Sequence, residues 1–195
     1  INAFELGAKS VNPDATTSVI FTGSWSDPAL QTSSANTLID KGIDVIAQHQ
    51  DSTKTIVELC EQKGVYCVGD HADASELAPN TWLTGAVWHW DDLFIDMVQT
   101  AIDGKFDGSK YDGKYRGGLK EGVVDIAPFG KSVSEDTQKK IEEEKDKMIN
   151  DDFNPFSDEI KDQKGNIVCK KGQTLTIDEI ESMDYLVDGV IGSTK

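Results

Sequence analysis

A chain of 195 residues is long enough for one large domain or two small lobes, and 37% hydrophobic content with 17 glycines and 5 prolines excludes disordered and collagen-like classes. Acidic residues outnumber basic ones 35 to 19, a net charge of −16. That balance offers no basic face for phosphates, gives no support to nucleic acid as a partner and would repel anionic lipid headgroups. No apolar run approaches the ~20 residues of a membrane-spanning helix.

The chain opens inside an amphipathic helical pattern, with Ile1, Phe4 and Ala8 on one face and no initiator Met, signal peptide or lipidation motif ahead of it. Such an opening is expected of a piece of a longer protein. Three units of strand, loop and helix follow. Ser18–Thr22 is a short β-rich run leading to Gly23-Ser24-Trp25-Ser26-Asp27-Pro28, where Asp27 is a natural N-cap and Pro28 fits the first helical position. The helix carries Ala35, Leu38 and Ile39 inward and stops at Gly42. Next come the strand Ile43–Ala47, the loop Gln48-His49-Gln50-Asp51-Ser52, and a helix burying Ile56, Val57 and Cys60 that ends at Gly64. The strand Val65–Val68 leads to Gly69-Asp70-His71-Ala72-Asp73. A fourth apolar run, Trp82–Val87, leads to Trp88-His89-Trp90-Asp91-Asp92.

Beyond Asp92 the pattern changes. Asp91–Ile102 predicts a helix with Leu93, Phe94, Met97, Val98 and Ala101 inward, and 103–118 is a polar connection. Gly122–Phe129 holds a strand. Ser132-Val133-Ser134-Glu135 is a capping-box pattern opening a charged, solvated helix to about Asn150. Asn154-Pro155 breaks the chain, Glu159–Cys169 reads as a hairpin turning at Lys164-Gly165-Asn166, and a short helix near Ile177–Met183 precedes the apolar run Tyr185–Ile191.

Alternating strands and helices over short loops predict an α/β fold with a parallel sheet and right-handed crossovers, whose ligand site lies at the edge where the loops after the strands emerge. All three histidines and three of the four tryptophans fall on those loops. Trp82 is expected in the core.

Nucleophilic catalysis has little support: Gly23-Ser24-Trp25-Ser26-Asp27 lacks the G-x-S-x-G elbow, and Cys60 and Cys67 lie on apolar faces. Their spacing leaves open two buried thiols or a disulfide. Gly130-Lys131-Ser132 resembles a P-loop ending, but Asp125 holds the position of its first glycine. The three cysteines, Cys60, Cys67 and Cys169, lack zinc-ligand spacing. His49, Asp51, Asp70, His71 and Asp73 could supply metal ligands, yet form no tight ligand motif. Aromatic recognition accounts for more. Trp25 on a polar loop, near Ser24 and Asp27 and facing Asp70, suits a flat ring stacked on an indole and gripped by carboxylates.

Phe4-Glu5-x-Gly7-Ala8-x-x-x-Val11-Asn12-Pro13 and Thr22-Gly23-Ser24-Trp25-Ser26-Asp27-Pro28 resemble the second lobe of the basic membrane protein family, substrate-binding lipoproteins of ABC importers that include purine nucleoside receptors. Gly42–Ile46, Val68-Gly69-Asp70, Asn154-Pro155-Phe156, Asp162-Gln163-x-Gly165 and Val187-Asp188-Gly189-Val190-Ile191-Gly192 extend the resemblance over nearly the whole chain. It implies a periplasmic-binding-protein type I fold: residues 1–87 as second-lobe sheet, 88–127 returning to the first lobe, and 128–195 completing the second. It implies an extracytoplasmic receptor, anchored only through a lipid outside this chain, that hands a purine base or nucleoside to ABC permease subunits, with no cofactor, metal or catalysis.

Trp25 stands where the family's second-lobe aromatic stacks on the purine, and Asp70 where an aspartate binds ribose hydroxyls. Trp88 replaces a lysine of the nucleoside receptors, and Gln48–Ser52 replaces a glycine-rich segment. The Trp88 departure suits a smaller ligand such as a free purine base, or a differently substituted heterocycle. The expected ligand-binding set is Ser24, Trp25, Gln48, His49, Asp51, Ser52, Asp70, Trp88 and His89. A sensor of the same fold, or a metal-dependent hydrolase built on the aspartate–histidine cluster, are the alternatives.

Overall fold

In chain order the elements are helix α1 (Asn2–Val11), strand β1 (Thr17–Ser18), α2 (Pro28–Asp40), β2 (Val45–Ala47), α3 (Thr53–Lys63), β3 (Tyr66–Gly69), β4 (Trp82–Trp88), α4 (Asp91–Ile102), β5 (Val124–Ile126), α5 (Glu135–Ile149), β6 (Ile160–Lys161), β7 (Ile167–Cys169), α6 (Ile177–Glu181) and β8 (Val190–Ile191). The computed structural model describes residues 1–106 and 115–194, so the polar connection at 103–118 lies partly outside the described residues. The chain forms two compact units, Ser24–Asn150 and Ile1–Gly23 with Asp151–Lys195.

In the larger unit β2, β3 and β4 run parallel and β5 joins β4 antiparallel, in the order β2-β3-β4-β5. Asp27 caps α2 as its sequence predicts, its carboxylate accepting from the amides of Ala29 and Leu30, with Pro28 in the first turn. Ile46, Ile56, Val57, Cys60, Cys67 and Trp82 form the core between sheet and helices. Trp82 is 1% exposed, and its indole N–H donates to the Pro128 carbonyl at 3.1 Å, so the large ring is buried with no polar cost. Gly69 makes room for it: a Cβ there would lie 2.3 Å from the Trp82 ring. Glu61 at the end of α3 accepts from both nitrogens of Asn80 and from the amide and hydroxyl of Thr81, tying the helix to the turn before β4.

Cys60, Cys67 and Cys169 are free and buried. The Cys67 contact and burial both push the Cys60 thiol up, which keeps it protonated.

Two expectations for this unit need correction. Helix α4 has the predicted bounds, but only Leu93 is buried; Phe94, Val98 and Ala101 are exposed, together with Ile95 and Ile102. Periodicity identifies an apolar face without saying what covers it. Helix α5 starts with a simple cap, the Ser134 hydroxyl accepting from the Thr137 amide, in place of a capping box.

In the smaller unit β1 pairs parallel with β8, Thr17 opposite Val190 and Ser18 opposite Ile191. The predicted strand Ser18–Thr22 is thus shorter, begins one residue earlier and sits outside the four-stranded sheet. Its partner is supplied by residues some 170 positions later, a pairing that local pattern does not encode. Helix α1 turns Asn2 and Glu5 inward and leaves Ile1 and Phe4 exposed. The Glu5 carboxylate is fully buried, accepts from the Thr17 hydroxyl at 2.6 Å and lies 3.6 Å from the Lys9 ammonium. Gly189, at φ 98°, lies so close that a Cβ would strike this carboxylate. Asn2 bonds the carbonyl of Tyr185 and the amide of Val187. The β6–β7 hairpin forms as expected, Asp162 accepting from the amides of Lys164 and Asn166 across the turn. Ile160, Cys169, Leu186, Val187 and Val190 form this unit's core, and a capping box, Thr176 with Glu179, opens α6.

Candidate functional site

The loops following β2, β3 and β4 leave the sheet at the carboxyl ends of parallel strands, the edge where such sheets bind ligands. Hydrogen bonds weld these loops together. The Trp25 carbonyl accepts from the Asp51 amide at 2.9 Å and from the side chain of Gln31, a buried residue of α2 that also donates to the side-chain Oε1 of Gln50 at 3.1 Å. Gln48 donates through its backbone to Val68 and through its side chain to Thr53, and the Thr53 hydroxyl bonds the Asp70 carbonyl at 2.8 Å. The Trp25 backbone is therefore fixed while its indole stays 60% exposed. That ring meets the edge of His49, centroids 5.4 Å apart at 63°.

Beside His49 lies a cluster of imidazoles and carboxylates. Asp70 is only 8% exposed, and its buried Oδ2 has no hydrogen-bond partner of adequate geometry. Nε2 of His71 stands 3.3 Å from that oxygen and Nε2 of His49 3.8 Å. His71 Nε2 also faces Asp51 Oδ1 at 3.6 Å. His71 adopts φ 71°, a left-handed conformation uncommon for a residue with a Cβ. Its Nδ1 accepts from the Trp88 indole N–H at 3.0 Å. In the neutral ring the proton is thus on Nε2, toward the carboxylates.

Trp88 also stacks on Trp90 (5.1 Å, 15°), and Trp90 on Phe94 (5.9 Å, 23°), forming an aromatic ladder from β4 into α4.

Of the expected ligand-binding residues, Trp25, His49, Asp51, Asp70 and Trp88 are joined into one network through these contacts, with His71 at its centre. Gln48, Ser24 and Ser52 support the loops: the Ser24 hydroxyl accepts from the Ser26 amide, and Ser52 shares a hydrogen bond with Thr55. His89 is paired away from this network, its Nε2 4.0 Å from Asp125, which pairs with Lys145 at 2.7 Å. Burial would raise the Asp125 carboxyl, but the Lys145 ammonium, the Ile126 amide and His89 together hold it below its ordinary value. Among the described residues no group of three or more His, Cys, Asp or Glu side chains is arranged to hold a metal ion. His71 and Trp90 occupy the predicted loops yet lie outside the expected ligand set; only the left-handed turn at His71 reveals its central position.

A protein-family model described as ABC transporter substrate-binding protein PnrA-like, Bmp, matches residues 1–154. A purine-binding protein of Brucella abortus is 36% identical over 190 residues, covering 97% of this chain and 53% of its own length. Basic membrane protein A2 of Borrelia garinii subsp. bavariensis is 31% identical over 155 residues, 77% of this chain and 45% of its own. The chain spans about half the length of the curated relatives it matches. An ABC transporter solute-binding protein from Conexibacter woesei has the same fold, with a TM-score of 0.59 at 16% identity over 79% of this chain and 52% of that one. The motifs at Phe4–Pro13, Thr22–Pro28 and Val68–Asp70 thus agree with a match running across the chain: it belongs to the PnrA-like family of ABC transporter substrate-binding proteins.

Proposed function

We propose that this chain is the ligand-gripping part of an extracytoplasmic receptor that captures a purine base or nucleoside and delivers it to ABC permease subunits. The observation that carries this reading is the exposed Trp25 indole beside the buried Asp70 carboxylate, with His49 bridging them. An exposed indole face gives a planar heterocycle an apolar surface to stack on, and the carboxylate–imidazole cluster gives its edge directional partners. The name of the Brucella abortus relative supports a purine over other solutes. Gln48, Ser24 and Ser52 hold the loops, while Trp88 and His89 line the wall of the cleft. A second lobe closing over the ligand supplies the other face, the closed state being favoured by contacts that exist only when ligand bridges both lobes. In this reading residues 88–127 belong to the first lobe, and the exposed Phe94, Ile95, Val98 and Ile102 of α4 support that assignment. Nothing is transformed in the process; the receptor binds and releases.

Native mass spectrometry of the receptor purified without added ligand, followed by calorimetry with adenine, hypoxanthine, adenosine and inosine, tests the reading. Retention of a purine, or its binding with micromolar or tighter affinity, is the expected result. Failure of all four to bind, with a different solute carried through purification, overturns it.

A further inference from the structure

We propose that Cys60 and Cys67 are a disulfide-forming pair, whose thiols join in an oxidising compartment into a bond between the last turn of α3 and the start of β3; the supply of oxidant rests on the extracytoplasmic reading above. The backbone brings the two together. Gly64, at φ 67°, ends α3 in a left-handed turn, and its amide bonds the carbonyls of Cys60 and Glu61. The Val65 amide bonds the Cys60 carbonyl as well, at 3.1 Å, so the chain folds back against the helical turn that it has just left. β3 then runs beside that turn, and its second residue is Cys67. Cys60 and Cys67 are 0% and 1% exposed, lie in one core and share a hydrogen bond between their thiols. Cys169 is the contrast. It lies in the other unit's core, its Sγ 3.4 Å from the Gln173 carbonyl, and has no second thiol to join.

The step is thiol–disulfide exchange with a disulfide-bearing oxidant, either a protein or a small molecule. One cysteine of the pair, as its thiolate, attacks a sulfur of the oxidant to form a mixed disulfide, and the oxidant's other sulfur leaves as a thiolate. The second cysteine, deprotonated in turn, attacks the first at its sulfur and expels the remaining oxidant sulfur. The pair gives up two protons and two electrons, and the oxidant's disulfide is returned as two thiols. Burial sets when this happens. Both sulfurs are sealed in the folded core, so the exchange takes place while the last turn of α3 is open, during folding or local fraying. Once closed, the bond is shielded from reductants by the same packing. It ties the chain at the end of α3 remote from Thr53, the residue whose hydroxyl bonds the Asp70 carbonyl, and so braces the core without altering the ligand-bearing loops.

The full-length receptor, unfolded under reducing conditions and refolded in a mixture of oxidised and reduced glutathione, tests the pair. After alkylation with iodoacetamide in denaturant, peptide mass mapping should recover Cys60 and Cys67 joined, lighter by two hydrogens than the reduced pair, and Cys169 as an alkylated thiol. The oxidised form should melt about 5–10 °C above the form reduced with dithiothreitol, the shift for a cross-link over so short a loop in a chain of this size. Cys60→Ala should melt at one temperature in oxidising and reducing buffer, whatever that temperature is. Recovery of Cys60 and Cys67 as alkylated thiols or glutathione adducts overturns the proposal, as does a redox-dependent shift that persists in Cys60→Ala. Glutathione supplies the oxidant and no ligand is present, so failure here leaves the purine-receptor reading standing. Failure of that reading shows instead in the calorimetry above, and leaves the mass of the pair unchanged.

Discussion

The indole N–H of Trp88 donates to Nδ1 of His71 across 17 positions of sequence, at 3.0 Å. One residue closes β4 and the other follows β3, so the bond stitches adjacent strand ends together and fixes a tautomer at the centre of the site. Trp88→Phe keeps the aromatic stack on Trp90 and removes only this donor. We expect the His71 ring nitrogens, read by 15N chemical shift, to move from a pure Nε2–H pattern to a tautomeric mixture, with a loss of about 1 kcal/mol in purine binding. Unchanged nitrogen shifts would show that Trp88 does not set the tautomer.

Trp25 and Trp82 are the same residue type in opposite roles. Trp25→Ala should leave the unfolding midpoint unaltered, because the ring is 60% exposed, and weaken purine binding by about 1–3 kcal/mol, the range for a base stacked on an aromatic side chain. Trp82→Ala should instead destabilise the fold by about 3–5 kcal/mol through loss of a fully buried ring. Urea titration and calorimetry on the two variants separate these effects; equal loss of stability in both would remove Trp25 from the site.

Gly69 ends β3 with the Trp82 ring against its α-carbon. Gly69→Ala would bring a methyl group to 2.3–2.5 Å from that ring, so Trp82 or the strand must move. The expected cost is about 1–3 kcal/mol in denaturant unfolding, with weaker ligand binding because Asp70 is the next residue. A neutral effect would mean that the Trp82 pocket has slack.

Acid should loosen the turn before β4. The hydrogen bond from the Asn80 side chain, aided by the Asn80 amide and by Thr81, holds the Glu61 carboxyl below its ordinary value, with desolvation opposing it. A depressed folded-state value means that this stabilisation is complete above the ordinary glutamate range and disappears as pH falls through the depressed value. Glu61→Gln should therefore melt at a lower temperature than the parent near neutral pH, and the two melting curves should converge as pH falls below the ordinary glutamate range. A constant difference across that interval would locate the effect in packing instead of charge.

Local chemistry made much of the larger unit legible. Asp27-Pro28 marks a helix start because a carboxylate and a missing N–H suit the same turn, and Asp91–Ile102 is read to the residue from its apolar spacing. Val45–Ala47, Tyr66–Gly69 and Trp82–Trp88 follow from apolar runs between turn residues. What the pattern misses is what depends on distant partners. β1 exists because β8 lies beside it, and Glu5 turns inward because Thr17, Lys9 and the backbone at Gly189 accommodate a carboxylate. The site divides the same way. Loop position identifies Trp25, His49, Asp51, Asp70 and Trp88, but His71 becomes central only through its left-handed backbone angle and its bond to Trp88, neither of which follows from its place in the loop.

The smaller unit joins Ile1–Gly23 to the stretch from Asp151 onward, with Asn2 bonding the backbone of Tyr185 and Val187 and Glu5 lying against Gly189. During synthesis the early segment therefore leaves the ribosome without its counterpart and waits while more than a hundred residues of the other unit emerge. Its docking waits on the synthesis of residues 151–191, and a ribosome stalled before Val187 would present a nascent chain whose Asn2 lacks its backbone partners.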